Sequence, residues 1–312
     1  MADLILPYDD AMSTEWNALV EGSRNGTFLH LRSYVEYHRD RFTDFSLVAV
    51  DKGRMVGALP ANRKGDVVES HGGLTYGGWV VDEIMTLPKM AAIWDSMMQF
   101  LSASGVKRLI YKPVPHMHHR VPTEEDLFCL GSFGARPVRR SPMTVVDLQH
   151  GPQWQARRLR GIRKARAARV SVGESSDWAG YWQLLEETLR VRYDATPVHT
   201  LEEIALLRSL HPDSIRLFTA TAGARVIAGV VVFESRRVAR AQYIAASVEG
   251  KHQAALDLLF HELFTDVFAS KHFFDLGTSD GQTGGQLNQS LVDFKEGFGG
   301  RTMVQDTYEV LV

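Results

Sequence analysis

The sequence predicts a mixed α/β fold made of two successive copies of one unit, each a mixed β-sheet flanked by helices. Three observations carry this reading. Short apolar runs bounded by turn signals read as strands, two long segments carry apolar stripes at helical spacing, and the order of elements in the first half returns about 170 residues later.

Residues 14–42 hold Trp16, Leu19 and Val20 and read as two short helices broken at Asn25-Gly26. Residues 45–50 form a strand, Lys52-Gly53 its turn and residues 55–60 its partner, with shorter strands at 66–70 and 78–81. Thr86-Leu87-Pro88 then starts a helix that places Met90, Ile93, Trp94, Met97 and Leu101 on one face, and Gly105 stands where a left-handed cap ends it. Residues 106–111 return to a strand. In the second half a helix over 177–192 is striped by Trp178, Tyr181, Trp182, Leu185 and Leu189. Strands follow at 215–220, 230–234 and 240–245, residues 224–229 echoing the turn at 53–57. A helix over 254–270 carries Leu256, Leu259, Phe260, Leu263, Phe264, Val267 and Phe268, and a strand at 273–276 answers that at 106–111. The domains are accordingly 1–150 and 151–312, the second beginning with a basic linker helix at 155–170.

Composition narrows the class. With 45% hydrophobic and 23% charged residues the 312-residue chain is of ordinary globular type, and no apolar run approaches the roughly 20 residues of a membrane span. Stable membrane insertion is therefore not expected. One cysteine, Cys129, excludes a disulfide within the chain, and the acidic start MADLILPYDD lacks the pattern of a signal peptide; both point to the cytoplasm. A net charge of -2 argues against wholesale coating of nucleic acid.

Several stretches could bear chemistry. Residues 273–301 run from a buried strand with Asp275 into six glycines between Gly277 and Gly299, interleaved with Ser279, Asp280, Gln282, Gln286, Asn288 and Lys295, so that backbone can approach a ligand while polar side chains meet it. An ammonium at Lys295 could stabilise the oxyanion of a tetrahedral intermediate, or simply pair with Glu296. The stretch SHGGLTYGG at 70–78 offers His71 and Tyr76 as substrate contacts, or else a bulged strand. In PVHTLEE at 197–203, Thr200 and Glu203 have capping-box spacing, whereas His199 lacks that explanation and suits a general base. The linker packs seven Arg or Lys between Arg157 and Arg169, Arg163 and Lys164 among them, either to grip phosphates of a nucleotide-linked substrate or RNA or as a solvated helix face. Pro115-His116-Met117-His118-His119 lacks partners at metal-ligand spacing, and a turn is expected there with no metal.

These residues together resemble the FemAB-like branch of the GNAT superfamily, in which two GNAT-type domains stand in tandem. The resemblance rests on Gly161-Ile162-Arg163-Lys164-Ala165, on Phe274-Asp275-Leu276-Gly277-Thr278-Ser279, and on Leu287-Asn288 leading to Phe294-Lys295-Glu296-Gly297-Phe298-Gly299. The SHGGLTYGG and PVHTLEE stretches resemble a subgroup labelled GNAT-family N-acetyltransferase and linked to surface-polysaccharide synthesis. The resemblance implies acyl transfer to an amine of a sugar or cell-envelope precursor, lipid- or nucleotide-linked. The first domain would bind the acceptor, with Tyr243, Asp275, Ser279 and Asn288 among the substrate-binding residues of the second, and Lys295 steadying the intermediate, as the lysine of a Phe-Lys pair does in FemX-like enzymes. The donor divides two ways. GNAT enzymes seat acyl-CoA on backbone amides at a helix start, and Ser247-Val248-Glu249-Gly250-Lys251-His252-Gln253-Ala254 is a degraded form of that pattern, with Gly250, Lys251 and Ala254 as the cofactor-binding residues and Glu249 where a basic or amide residue is expected. FemX-like enzymes take aminoacyl-tRNA instead, which the basic linker could serve. From a different class, a non-catalytic sugar- or nucleotide-binding protein would explain the degraded loop.

Overall fold

The computed structural model describes residues 5–281 and 286–312; Gln282, one of the polar residues of the glycine-rich stretch, lies outside them. The chain divides into two compact units, residues up to 140 with 305–312, and residues 141–304. This differs from a divide at 150. Residues 305–312 go with the first unit because Tyr308, Glu309, Val310 and Leu311 pair antiparallel with Tyr111, Ile110, Leu109 and Arg108.

In the first unit the strands Ile5–Pro7, Leu47–Asp51, Arg54–Leu59 and Val80–Val81 form a four-stranded antiparallel sheet. Its hairpin turns at Lys52 and Gly53, whose φ of 52° and 76° supply the left-handed pair that a two-residue turn needs to match strand twist. A second set of strands is mixed, with Val67–Glu69 parallel to Arg108–Tyr111. The helix Leu87–Ala103 buries Met90, Ile93, Trp94, Met97 and Leu101, the stripe read from the sequence, in one core with Leu47, Val56, Leu109 and Tyr111. Gly105 follows it at φ 73°.

Around the SHGGLTYGG stretch the first unit collects buried imidazoles. His71 stacks on His38 with ring centroids 5.2 Å apart, and Tyr76 packs on His118 at 4.7 Å. Burial pushes His30 down to about 4, His71 to about 3 and His119 to about 4, so all three are neutral at pH 7.

The second unit is a sheet ordered Ser171–Glu174, Ile215–Ala222, Arg225–Glu234, Val238–Ala246, Phe273–Thr278 and the strand Arg136–Asp147 from Ser141 on. All neighbours are antiparallel except Val238–Ala246 with Phe273–Thr278, which run parallel. The helix expected over 254–270 is Ala255–Glu262, continuing as a wide π-helical turn over Leu263–Val267. Its Phe260, Phe264 and Phe268 close on Phe274 and Phe298 in the core. The basic linker is the helix Ala156–Ala167, anchored by buried Ile162 and Ala165; Trp178–Tyr193 and Leu201–Leu210 follow. The polar run after residue 278 is not loop throughout, since Gln289–Glu296 is a helix.

One expectation follows for the first unit. Depressed imidazole pKa values stabilise the fold above the unfolded value near 6.5, and that contribution is lost as pH falls toward the folded values of about 4 and about 3. Thermal unfolding followed from pH 7.5 to pH 4, on the order of the whole window cited, should show a steep loss of midpoint below about 6.5. His71→Phe should flatten that acidic limb.

Candidate active site

The geometry of the second unit starts from a parting of strands. Val238–Ala246 and Phe273–Thr278 pair at Val238↔Phe273, Ala239↔Phe274 and Arg240↔Asp275 and then no further, although both strands continue. Beyond that point a pocket of about 380 Å³ opens, lined by Ile244, Ala245 and Ala246 of the first strand, by Leu189, and by Ser290, Leu291 and Phe294 of the helix Gln289–Glu296. Gly250, Lys251 and Ala254 also line it, so the three residues expected to hold the donor do share one cavity. Arg158 and Asp257 complete the polar part of the wall.

The local chain explains the shape of that wall. Ser247 caps the short helix Val248–His252, its hydroxyl accepting the Gly250 amide at 3.0 Å. Gly250 is buried, and a Cβ there would overlap the Ile227 carbonyl, so the glycine serves close packing as well as pocket space. Glu249, out of place in a phosphate cradle, is paired with Arg225 and accepts from the Gln253 amide at 3.1 Å. Ala254 takes a left-handed conformation at φ 55°, which breaks the chain between two helices and starts the second at the pocket. Arg158 donates to Asp257 at 2.6 Å and to the Phe294 carbonyl at 2.7 Å, while its guanidinium lies over the Phe298 ring at 4.0 Å. Burial pushes the Asp257 carboxyl up, Arg158 opposing it.

Lys295 is 3% exposed, in the last turn of Gln289–Glu296. Its Nζ donates to the Gly277 carbonyl at 2.9 Å and the Thr278 carbonyl at 2.6 Å, not to Glu296. An ammonium has three N–H groups, so one remains. Burial pushes it down to about 8, with Asp275 opposing and Arg240 adding to the fall. Asp275 is fully buried, paired with Arg240 and accepting the Gly277 amide at 2.7 Å. Ser279 is likewise fully buried, with no partner for its hydroxyl among the described residues. Asn288 is the cap of the Lys295 helix, accepting the Leu291 amide at 3.1 Å. Asp275 and Asn288, expected among the substrate-binding residues, each hold backbone in place.

A register shift in Val238–Ala246 opposite Val231 and Val232 marks a bulge. The Tyr243 hydroxyl accepts the His199 amide at 3.2 Å and lies 2.5 Å from His199 Nδ1. Burial pushes the Tyr243 hydroxyl up to about 12. The capping box of Thr200 and Glu203 is present as read from the sequence.

Elsewhere the expected residues separate. Arg163 and Lys164 are exposed on the basic helix, opposite the buried Ile162 and Ala165. In the first unit His71 and Tyr76 are buried, Tyr76 donating to Thr27 Oγ1 at 3.2 Å. Lys112, passed over in the sequence, donates to the His71 carbonyl at 2.6 Å and the Leu74 carbonyl at 2.7 Å, and burial pushes it down to about 8. Arg158 and Arg240 were also passed over. The signal for Arg240 was a charged residue inside an apolar strand; Arg158 had none within its run of arginines. Among the described residues no group of three or more His, Cys, Asp or Glu is placed to hold a metal, and His116–His118 forms a turn.

Residues 155–293 match the family model described as an acetyltransferase (GNAT) domain. Among solved structures the chain is similar to FemX, with a TM-score of 0.68 and 12% identity over 99% of this chain and 98% of that one. L-PGS from Bacillus licheniformis is similar with a TM-score of 0.60 and 12% identity over 98% and 92% of the two chains. A tandem GNAT protein from the clavulanic acid biosynthesis pathway gives 0.52 and 13% over 99% and 98%. No curated protein matches the sequence. Residues 155–293 therefore match a GNAT acetyltransferase domain, and the whole chain shares its fold with FemX and with the tandem GNAT protein. No helix among the described residues is long and apolar enough to cross a membrane.

Gly250→Ala tests the packing argument. The added methyl meets backbone rather than a movable side chain, so a loss on the order of 1–3 kcal/mol is expected in denaturant unfolding, with loss of ligand binding in the pocket.

Proposed function

We propose that this protein is an acyltransferase that moves an acyl group from a CoA thioester to an amine of a sugar or cell-envelope precursor. The observation that carries the reading is the pocket at the parted strands, apolar along Leu189, Ile244, Ala245 and Leu291 and bordered by the cations of Arg158 and Lys251. Such a wall suits a substrate with an uncharged arm and phosphates at one end. Arg158 and Asp257 neutralise each other, so the net positive charge at that end comes from Lys251. In the reaction the acceptor amine attacks the thioester carbonyl, forming the C–N bond. The remaining Lys295 N–H steadies the oxyanion, the amine proton passes to water, and the C–S bond breaks to release CoA. The first unit is assigned to the acceptor and the second to acyl transfer. The protein would work in the cytoplasm, where CoA thioesters are made.

A second reading has an observation of its own. Arg160, Arg163 and Lys164 form an exposed cationic stripe on the basic helix, a feature that would suit aminoacyl-tRNA as donor. The two are separated by thermal-shift measurement against acetyl-CoA, an aminoacyl-tRNA and a nucleotide sugar. At about 100 times Kd a true donor adds about 2.7 kcal/mol and raises the melting temperature by several degrees. Acetyl-CoA is expected to do so, and Arg158→Leu to abolish the shift. Stabilisation by tRNA alone, weakening steeply with salt, would replace the CoA reading; stabilisation by the sugar alone would point to a binding protein.

The role given to Lys295 requires its protonated form. Because its pKa is lowered to about 8, kcat should fall as pH rises through that value. Lys295→Ala should cost about 10²-fold in kcat. A rate that instead climbs through pH 8 would make the neutral amine the active form and remove the oxyanion role.

A further inference from the structure

Resting on that reading of Lys295, we propose that Arg240 and Asp275 are positioning residues that act on Lys295 through the Gly277 peptide. The connection is continuous. Arg240 reaches across the last rung of the parallel pair to one oxygen of the Asp275 carboxylate. The other oxygen accepts the Gly277 amide at 2.7 Å. The Gly277 carbonyl in turn accepts from Lys295 at 2.9 Å, beside the Thr278 carbonyl at 2.6 Å.

Gly277 makes this work. At φ 79° it adopts a conformation that favours glycine, and an added Cβ would point between the Arg240 guanidinium, 3.8 Å away, and Lys295 Nζ, 4.0 Å away. Two cations therefore flank one backbone turn. A buried carboxylate bonded to the amide fixes the rotation of that turn and so the direction of the carbonyls that seat the lysine. Without Asp275 the two cations would face each other across a glycine with little to hold it. The groups facing Lys295 are Asp275, Arg240 and Asp280, and the last is held by the Ser141 hydroxyl at 2.7 Å.

The charges of the pair push on Lys295 in opposite senses, which separates positioning from mere support of the fold. Removing Arg240 leaves the carboxylate unbalanced and raises the lysine pKa; removing the carboxylate charge lowers it. The experiment measures, on the full-length protein, the pH dependence of Lys295 acetylation by acetic anhydride, read by mass spectrometry of its peptide, alongside the pH profile of kcat. The wild-type labelling midpoint is expected near 8. Arg240→Gln should move it up by about one unit, Asp275→Asn down by about one unit, and the double variant should return toward wild type. Arg240→Lys, which keeps the charge, should leave the midpoint in place and lower kcat about 10-fold through altered geometry, with KM for the donor unchanged.

If Asp275→Asn fails to fold, the Arg240→Gln and Arg240→Lys pair still decides, since the Arg240 side chain sits at the edge of the cluster with 14% exposure. Equal midpoints in wild type and Arg240→Gln overturn the proposal. Shifted midpoints with an unshifted activity profile uphold the coupling to Lys295 and overturn the oxyanion role of that lysine, so the two ideas fail separately.

Discussion

The second unit depends on where one parallel strand pair stops. Up to Arg240 and Asp275 the backbones of Val238–Ala246 and Phe273–Thr278 satisfy each other; beyond them the facing edges need other partners. The structure answers differently on each side. On the Phe273–Thr278 side a lysine from the following helix takes the carbonyls of Gly277 and Thr278. On the other, Ile244, Ala245 and Ala246 are left lining a cavity. The buried ion pair of Arg240 and Asp275 marks the last rung, and past it the two strands take different surroundings.

The lysine also shows how a buried cation is tolerated. Isolated, such a group would lose its proton or pull water in. Here two carbonyls and a nearby carboxylate compensate much of the lost hydration, so that the pKa settles at about 8 and a charged form persists at neutral pH. Lys112 in the first unit meets the same problem with the same means, bonded to the carbonyls of His71 and Leu74 and brought to about 8. There the clamp ties a glycine-rich loop to the residue after a strand.

Much of the fold was legible because its elements obey simple periods. The stripe of Met90, Ile93, Trp94, Met97 and Leu101, the turn at Lys52-Gly53 and the cap at Gly105 each follow from local chemistry that survives folding unchanged. What was not legible depends on partners far along the chain. Gly299-Gly300 mark a turn before the strand Arg301–Leu311, but its place is defined by pairing with residues nearly two hundred positions earlier. The site divides in the same way. Gly250, Lys251 and Ala254 line one pocket, and Asn288 caps a helix, a role that its sequence position does not separate from ligand contact, because a short polar side chain before a helix reads alike in both. Within the basic helix, composition could not tell Arg158, turned into the pocket, from Arg163 and Lys164, turned to solvent; only the burial of Ile162 and Ala165 fixes that rotation.

The pairing of residues 308–311 with Arg108–Tyr111 has a consequence for biosynthesis. The first unit leaves the ribosome first, yet its sheet cannot be completed until residues 308–311 emerge. Throughout synthesis of the second unit the strand Arg108–Tyr111 has an open edge, a surface prone to pairing with other nascent chains. Arg108 at the strand's start and Pro113 just past its end blunt that edge. A chain truncated before residue 308 would keep every residue of the pocket and still present that unfinished edge.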